Sequence, residues 1–358
     1  MGVFLVLLLT PLAIQHLTVR GNGIDNVRKN KISITVFFLL LTVLVMLRHR
    51  SVGSDTETYI YLFKQYSNSS WNDLGKYAIE SGFVYLNKIV SIFSDEPHFF
   101  LAIIALITSA MIYPTYKRLC IDSSLTIVLF CTMSTFVMMF SGIRQMLAIG
   151  IGFVAYEFVR NKKLVPFILV VFLATVIHTS AFILAFMYPL YYAKITKKWL
   201  LAVVPSLAIV FVLNRQIFHI LALVLERYTD YDASTTQTGA YMMLILFVLF
   251  AIFSFLIPDE ETLGEETIGL RNFLLLSLVI QMFAPLHTVA MRMNYYYIIF
   301  IPLLLPKIIE HRSERWGQVA TVGRHVMVVF FLGYFFFSAY TSGALKVFPY
   351  HFFWENVL

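Results

Sequence analysis

Charge is what this chain most lacks. Lysine, arginine, aspartate and glutamate together make 13% of its 358 residues, about half of the roughly 25% that a soluble globular domain carries. An ordinary water-facing surface cannot be assembled from so few. Cysteine is nearly absent: Cys120 and Cys131 are the only two, too few for a disulfide framework. There is no Cys-x-x-Cys, and no pair of histidines at helical spacing beside a carboxylate, so a zinc site has no support in the sequence. Also missing are an internal repeat, a low-complexity tract and any polar stretch long enough for a separate soluble domain. The first apolar run, Val3–Leu17, has neither a basic leader nor a small-residue cleavage site, and is expected to be retained as a span rather than removed as a signal peptide.

What is present is hydrocarbon. Hydrophobic residues reach 59% and the mean hydropathy is +0.79, which defines an all-α polytopic membrane protein, read here as a single domain over residues 1–358. Apolar runs bounded by charge or by Gly/Pro/Asn clusters give about twelve helices, several shorter than the roughly 20 residues of a perpendicular span. Their expected extents are Val3–Val19, Ile32–Leu47, Phe99–Tyr116, Ser123–Phe140, Met146–Val159, Leu164–Ile177, Ala181–Tyr192, Trp199–Leu213, Ala240–Ile257, Asn272–Leu286, Tyr295–Ile309 and Thr321–Tyr340. The net charge of +7 is not a nucleic-acid footprint, because the basic residues sit beside spans and orient them.

Placing the loop Arg20–Lys31 in the cytoplasm makes every second loop cytoplasmic. Those loops hold most of the basic residues: Lys117 and Arg118, Arg160 to Lys163, Lys194 to Lys198, Arg271, and Lys307 to Arg324. Both termini then fall outside. The charge pattern also makes Leu164–Tyr192 a hairpin with His178 at its turn, since a single long helix would separate two basic clusters. Each arm of about 14 residues spans about 21 Å, short of the ~30 Å hydrocarbon core. The His178 turn is therefore expected in a water-filled depression below the outer surface, with Arg144 at similar depth. Residues 48–98 and 214–239 are the two long outer segments. The first carries an amphipathic stretch within Lys76–Ser94, and the second a candidate lid around Glu226–Asp232.

This topology collects Arg48, Arg50, Asp55, Glu80, Arg144, His178, His287 and Arg292 on one face. Charges at membrane depth are costly and mark function by default. Arginines converging on a cavity suit phosphate oxygens, which the guanidinium fork meets in two-point contact. A carboxylate beside them offers a general base. Each residue also has a plain structural reading: Arg144 snorkelling from a helix end, His178 bonding backbone in a turn, Arg292 anchoring a loop among tyrosines, Asp55 capping the helix through Tyr59.

In these residues the chain resembles the EpsG-type family of exopolysaccharide and O-antigen (Wzy-like) polymerases. The matching elements are Arg50-Ser-Val-Gly53-Ser-Asp55-Thr-Glu-Thr-Tyr59, Glu80-Ser-Gly82-Phe83, Ser141-Gly-Ile-Arg144-Gln145, His178-Thr-Ser180, and Arg292 before its tyrosines. The resemblance implies a GT-C-like membrane glycosyltransferase of the bacterial cytoplasmic membrane. It would transfer a growing glycan from undecaprenyl pyrophosphate to a hydroxyl of a lipid-linked repeat unit on the outer face. It implies no cofactor, a metal-independent reaction, and a chain-length regulator as a partner besides the lipid-linked oligosaccharide. The roles expected are Asp55 as general base with Glu80 as the competing candidate, His178 assisting the leaving group or orienting the acceptor, and Arg50, Arg144 and Arg292 binding pyrophosphate. The competing functions are a ligase for the same lipid-linked glycan and a flippase. A transporter would be expected to show internal repeats and polar pockets on both sides.

Overall fold

The computed structural model describes residues 2–17, 26–224, 238–341 and 344–357. Among these the chain is almost wholly helical, with no strand and only isolated bridges between Arg48 and Phe352 and between Pro258 and Arg312. Among the described residues, each apolar run picked out in the sequence is helical over most of its length. In order these are α1 (Gly2–Leu17), α2 (Asn26–Leu47), α3 (Thr56–Asn68), α4 (Ser81–Ser91), α5 (Pro97–Leu119), α6 (Ser123–Thr132), α7 (Ser134–Phe140), α8 (Ile143–Arg160) and α9 (Leu164–Ile177). They continue as α10 (Met187–Tyr192), α11 (Leu200–Val212), α12 (Asn214–Val224), α13 (Thr238–Leu256), α14 (Glu265–Gln281), α15 (Thr288–Ile298), α16 (Ile301–Glu310) and α17 (Gly317–Thr341).

Four of these segments are long and apolar enough to cross a bilayer: α2, α5, the α13 segment and α17 with the short turn before it. Two bent pairs raise the number to six. Two of the interruptions have local causes. The Tyr295–Ile309 run divides into α15 and α16, inclined at 46°. Pro302 stands in the first turn of the second helix, where it offers no N–H and its ring would clash with the carbonyl four residues back. The Ser123–Phe140 run breaks at Met133, which is extended (φ −73°, ψ 146°). There Thr132 Oγ1 bonds back to the Val128 and Leu129 carbonyls at 2.8 and 3.1 Å, the local competition by which hydroxyl residues unsettle helices. Ala181–Tyr192 is a tight 3₁₀ stretch, Thr179–Phe186, followed by the short α10.

The helices pack as two compact units, residues 1–185 with 324–358, and residues 186–323. Both divisions fall within or beside helices rather than in a polar linker, so the sequence carries no composition shift to mark them. In the first unit α8 is the central helix, packed against α5, α7 and α9 and buried almost throughout. The ring of Phe4 on α1 meets Phe136, Phe140, Phe335 and Phe348 edge to face. In the second unit α14 takes that place, contacting α10, α13, α15 and α16. Its interior polar residues are mutually bonded: Asn294 joins Ser277 and Gln281, and Gln281 donates to the Ala240 carbonyl at 3.0 Å. Such closure is what a buried polar group requires in apolar surroundings. The two cysteines are buried and unbridged.

Segment 48–98 folds into α3, a 3₁₀ turn at Trp71–Lys76 and α4. α4 takes the C-terminal part of the amphipathic stretch expected there and buries Phe83, Val84, Asn87 and Val90 on one face. In segment 214–239, α12 accounts for the apolar part. The lid expected at Glu226–Asp232 and the Asp230-Tyr231-Asp232 triplet lie outside the described residues.

Candidate functional site

Three of the residues singled out in the sequence meet at one end of α8. Arg144 stands in its first turn, after a break at Ser141–Gly142 that separates α7 from α8. His178 terminates α9 in extended conformation (φ −152°, ψ 116°), so its ring leaves the helix axis. Glu80 precedes α4. The Glu80 carboxylate accepts from Arg144 Nη1 at 2.7 Å on one oxygen. On the other it accepts from the Thr179 backbone N–H at 2.9 Å and the Thr179 hydroxyl at 2.8 Å, with His178 Nδ1 at 3.2 Å. The side chains of Arg144, Glu80 and His178 are 22%, 19% and 14% exposed, enclosed but reachable.

Gly82 makes this convergence possible. A Cβ there would stand 2.7 Å from Val176 Cγ1 and 2.8 Å from the Val176 carbonyl oxygen. Only a glycine lets the first turn of α4 close on the end of α9 and carry Glu80 within reach of His178 and Thr179. Phe83, in the same turn, places its ring centroid 5.7 Å from the Arg144 guanidinium, a cation–π contact. Burial alone would raise the Glu80 pKa. The His178 and Thr179 hydrogen bonds and the Arg144 charge outweigh it and hold the carboxyl well below the usual carboxylate range.

One residue the sequence did not single out belongs here. Tyr66 on α3 is fully buried, its ring packed on Tyr77 at 4.7 Å between centroids, and its hydroxyl has no hydrogen-bond partner. Burial pushes this phenol up to about 12, against the pull of the Arg144 charge. Arg144 Nε is likewise buried without a partner. Two donors are thus left unused, the Tyr66 hydroxyl and the Nε of an arginine whose Nη1 is engaged by a carboxylate. Nothing in the sequence marks Tyr66 out among the 20 tyrosines.

The Arg50–Tyr59 motif docks beside the same break. Gly53 has φ +93°, a conformation L side chains rarely adopt, and any Cβ there would overlap the Phe140 carbonyl. The turn it permits brings Ser54 Oγ to Ser141 Oγ at 2.7 Å and Thr56 Oγ1 to the Phe140 carbonyl at 3.2 Å. Asp55 accepts from Ser54 Oγ at 3.0 Å. It stands at the N-cap of α3, but its side chain makes no capping bond, so the plain capping reading does not account for it. Tyr59, one turn on, meets Phe83 edge to face at 5.8 Å.

The other arginines are placed differently. Arg50 is exposed, with Glu57 3.9 Å away. Arg48 is fully buried: it donates to the Val45 carbonyl and leaves Nε and Nη2 unpartnered, while Tyr350 bonds the Leu44 carbonyl nearby at 2.7 Å. Arg292 belongs to the second unit, exposed on α15. His287 caps that helix, accepting from the Val289 N–H at 3.1 Å and stacking on Phe218. Among the described residues no group of three or more His, Cys, Asp or Glu gathers as metal ligands.

The fold and this cluster together define a multi-pass helical membrane protein with a half-buried arginine–carboxylate–histidine constellation at the end of one bundle. The model of the EpsG family matches residues 31–352. The chain belongs to the EpsG family, which points to the polymerase-type enzymes of exopolysaccharide synthesis. Among curated proteins, and among solved structures, nothing matches it.

Proposed function

We propose that the protein is a membrane glycosyltransferase that polymerises a polysaccharide. In this reading it moves a growing glycan from a polyprenyl pyrophosphate to a hydroxyl of a lipid-linked repeat unit on the outer face of the cytoplasmic membrane. The observation that carries it is Arg144 held by Glu80 beside His178, inside a chain of the EpsG family. A carboxylate bridging an arginine and a histidine occupies the place where a phosphate would sit. It resembles one in charge and in its two acceptor oxygens.

The donor's pyrophosphate takes the Arg144 fork from Glu80 and uses the unpartnered Arg144 Nε and Tyr66 hydroxyl. Glu80, too strongly stabilised as an anion to be an effective base near neutral pH, orients His178 through Nδ1 and leaves Nε2 to face the leaving phosphate. Asp55, tethered through Ser54 to Ser141, takes the acceptor's proton. The anomeric carbon–oxygen bond to pyrophosphate breaks as the bond to the acceptor oxygen forms, and the departing negative charge is met by preorganised cations. No metal is needed in this scheme. Arg50 serves as an outlying pyrophosphate contact. A GT-C-like arrangement of about twelve spans, with short helices making up the rest, both termini outside and a chain-length regulator as a partner, completes the proposal.

The test is purified protein supplied with a defined lipid-pyrophosphate repeat unit and watched for a ladder of products. Asp55→Asn is expected to leave single units on lipid, with turnover down by about 10²-fold or more. Full-length polymer from that variant removes Asp55 from the role of base.

A further inference from the structure

The second unit holds a feature that the proposed reaction does not use. A cavity of about 1050 Å³ opens between α11, α13 and α14, beyond the roughly 300–1,000 Å³ of a typical small-molecule pocket. Its walls are hydrocarbon, among them Phe211, Leu244, Val248, Ile252 and Leu278, and among the described residues that line it none is acidic. It runs alongside α11, 13 residues long, or roughly 20 Å, which is more than the ~15 Å depth of one leaflet's hydrocarbon. One of its walls is a segment long and apolar enough to span, Gly239–Leu256.

The two ends of this groove differ. At one end the lining includes Lys197, Arg315 and Trp316. The chain gathers there through the Lys197 bond to the Pro258 carbonyl (3.3 Å), the Pro258–Arg312 bridge and the Ser313 N–H bond to the Ile257 carbonyl (3.0 Å). Behind Phe255 lies Arg271, fully buried, its guanidinium 4.0 Å from that ring and neutralised by Glu260 at 2.5 Å. Arg271 therefore closes the floor without adding net charge, and the positive charge at the mouth comes from Lys197 and Arg315. Arg315 lies 5.4 Å from the Trp316 ring, a pairing of cation and amphipathic aromatic suited to headgroup depth. At the other end, around Phe211 and Met282, the described residues of the lining are apolar.

The geometry points to a bound anionic phospholipid, its acyl chains filling the groove and its phosphate between Lys197 and Arg315. The charge asymmetry selects this occupant: an apolar helix from a second copy would bring nothing to meet two cations, and a neutral lipid would gain nothing from them. The residues that line the groove belong to the second unit and those of the Glu80 cluster to the first, and the reading of that cluster can fail without affecting this one.

The experiment is native mass spectrometry of the full chain after exchange into micelles doped with phosphatidylglycerol or with phosphatidylcholine. The expected result is retained phosphatidylglycerol with little phosphatidylcholine. Retention should fall roughly tenfold in Lys197→Ala/Arg315→Ala and stay unchanged in Lys194→Ala/Lys198→Ala, which removes neighbouring charge that does not line the groove. Ala208→Trp, a substitution at an exposed position on the groove wall, is expected to displace the lipid while leaving both cations in place. Equal retention of the two lipids, retention indifferent to Lys197 and Arg315, a dimer that buries the groove, or displacement of phosphatidylglycerol by a polyprenyl phosphate would each overturn the proposal.

Discussion

The two ends of α8 carry the same kind of ion pair in different settings. At the C-terminal end Glu157 is met by Arg118 at 2.6 Å, Arg160 at 2.9 Å and the Thr115 hydroxyl at 3.1 Å. At the N-terminal end, about 20 Å away along the helix, Arg144 meets Glu80. The C-terminal side chains are 30–37% exposed, and two arginines share one carboxylate, so both acidic oxygens are answered at the surface. The N-terminal pair is about 20% exposed, is bridged to a histidine and a backbone N–H, and leaves Arg144 Nε and the Tyr66 hydroxyl without acceptors. An ion pair that anchors a helix end needs no spare donors. In the proposed reaction the donors left over at the N-terminal end are the ones that meet the pyrophosphate.

Substitutions at the two ends should separate these roles. Arg144→Lys keeps the charge and loses the fork, and is expected to cost about 10²-fold in polymer formation, while Arg144→Ala should abolish it. A fully active Arg144→Lys enzyme would reduce the N-terminal pair to an anchor like the other. Next in size is Gly82→Ala, whose new methyl collides with Val176 and pushes Glu80 away from the end of α9. Activity should fall about tenfold, with roughly 1–3 kcal/mol lost in stability from overpacking, read by thermal melting beside the polymer assay.

The Glu80 carboxyl gives a prediction in pH. Its folded pKa is depressed below the ordinary 4.5, so its contribution to stability is fully present above that value and disappears as pH falls through the folded value. Melting curves of wild type and Glu80→Gln should therefore differ most above about pH 5 and converge in stronger acid. A gap that widened on acidification would mean that Glu80 is not held as an anion. The smallest effect is expected at the other end: Arg118→Ala should cost at most about 1 kcal/mol and leave polymer yield unchanged.

How far these features could be read in advance depends on their range along the chain. Leu164–Ile177 is bounded in the structure as in the sequence, because Lys163 and the His178 turn mark its two ends by charge and polarity. The breaks at Met133 and between α15 and α16 were hidden inside uniformly apolar runs. Only the back-bonding of Thr132 and the placement of Pro302 within the turn decide them, and neither interrupts hydropathy. The charged members of the site were visible, since an arginine or histidine in an apolar chain attracts notice wherever it stands. Their pairing was not. Glu80 lies 64 residues from Arg144 and 98 from His178, and their meeting depends on Gly82 allowing α4 to touch α9. For the same reason the sequence could rank Asp55 ahead of Glu80 as general base but could not foresee that Glu80 pairs with both Arg144 and His178. Tyr66 gave no signal, because a tyrosine on a half-apolar helix is ordinary until its hydroxyl is found buried and unpartnered.

The most direct test of the central claim is the affinity of a short-chain, water-soluble polyprenyl pyrophosphate for the purified protein, measured by calorimetry in wild type, Arg144→Lys and Arg118→Ala. Displacement of Glu80 from Arg144 by the ligand's phosphates predicts binding weakened by roughly tenfold or more in Arg144→Lys and unaltered in Arg118→Ala. Equal affinity in all three proteins would contradict it.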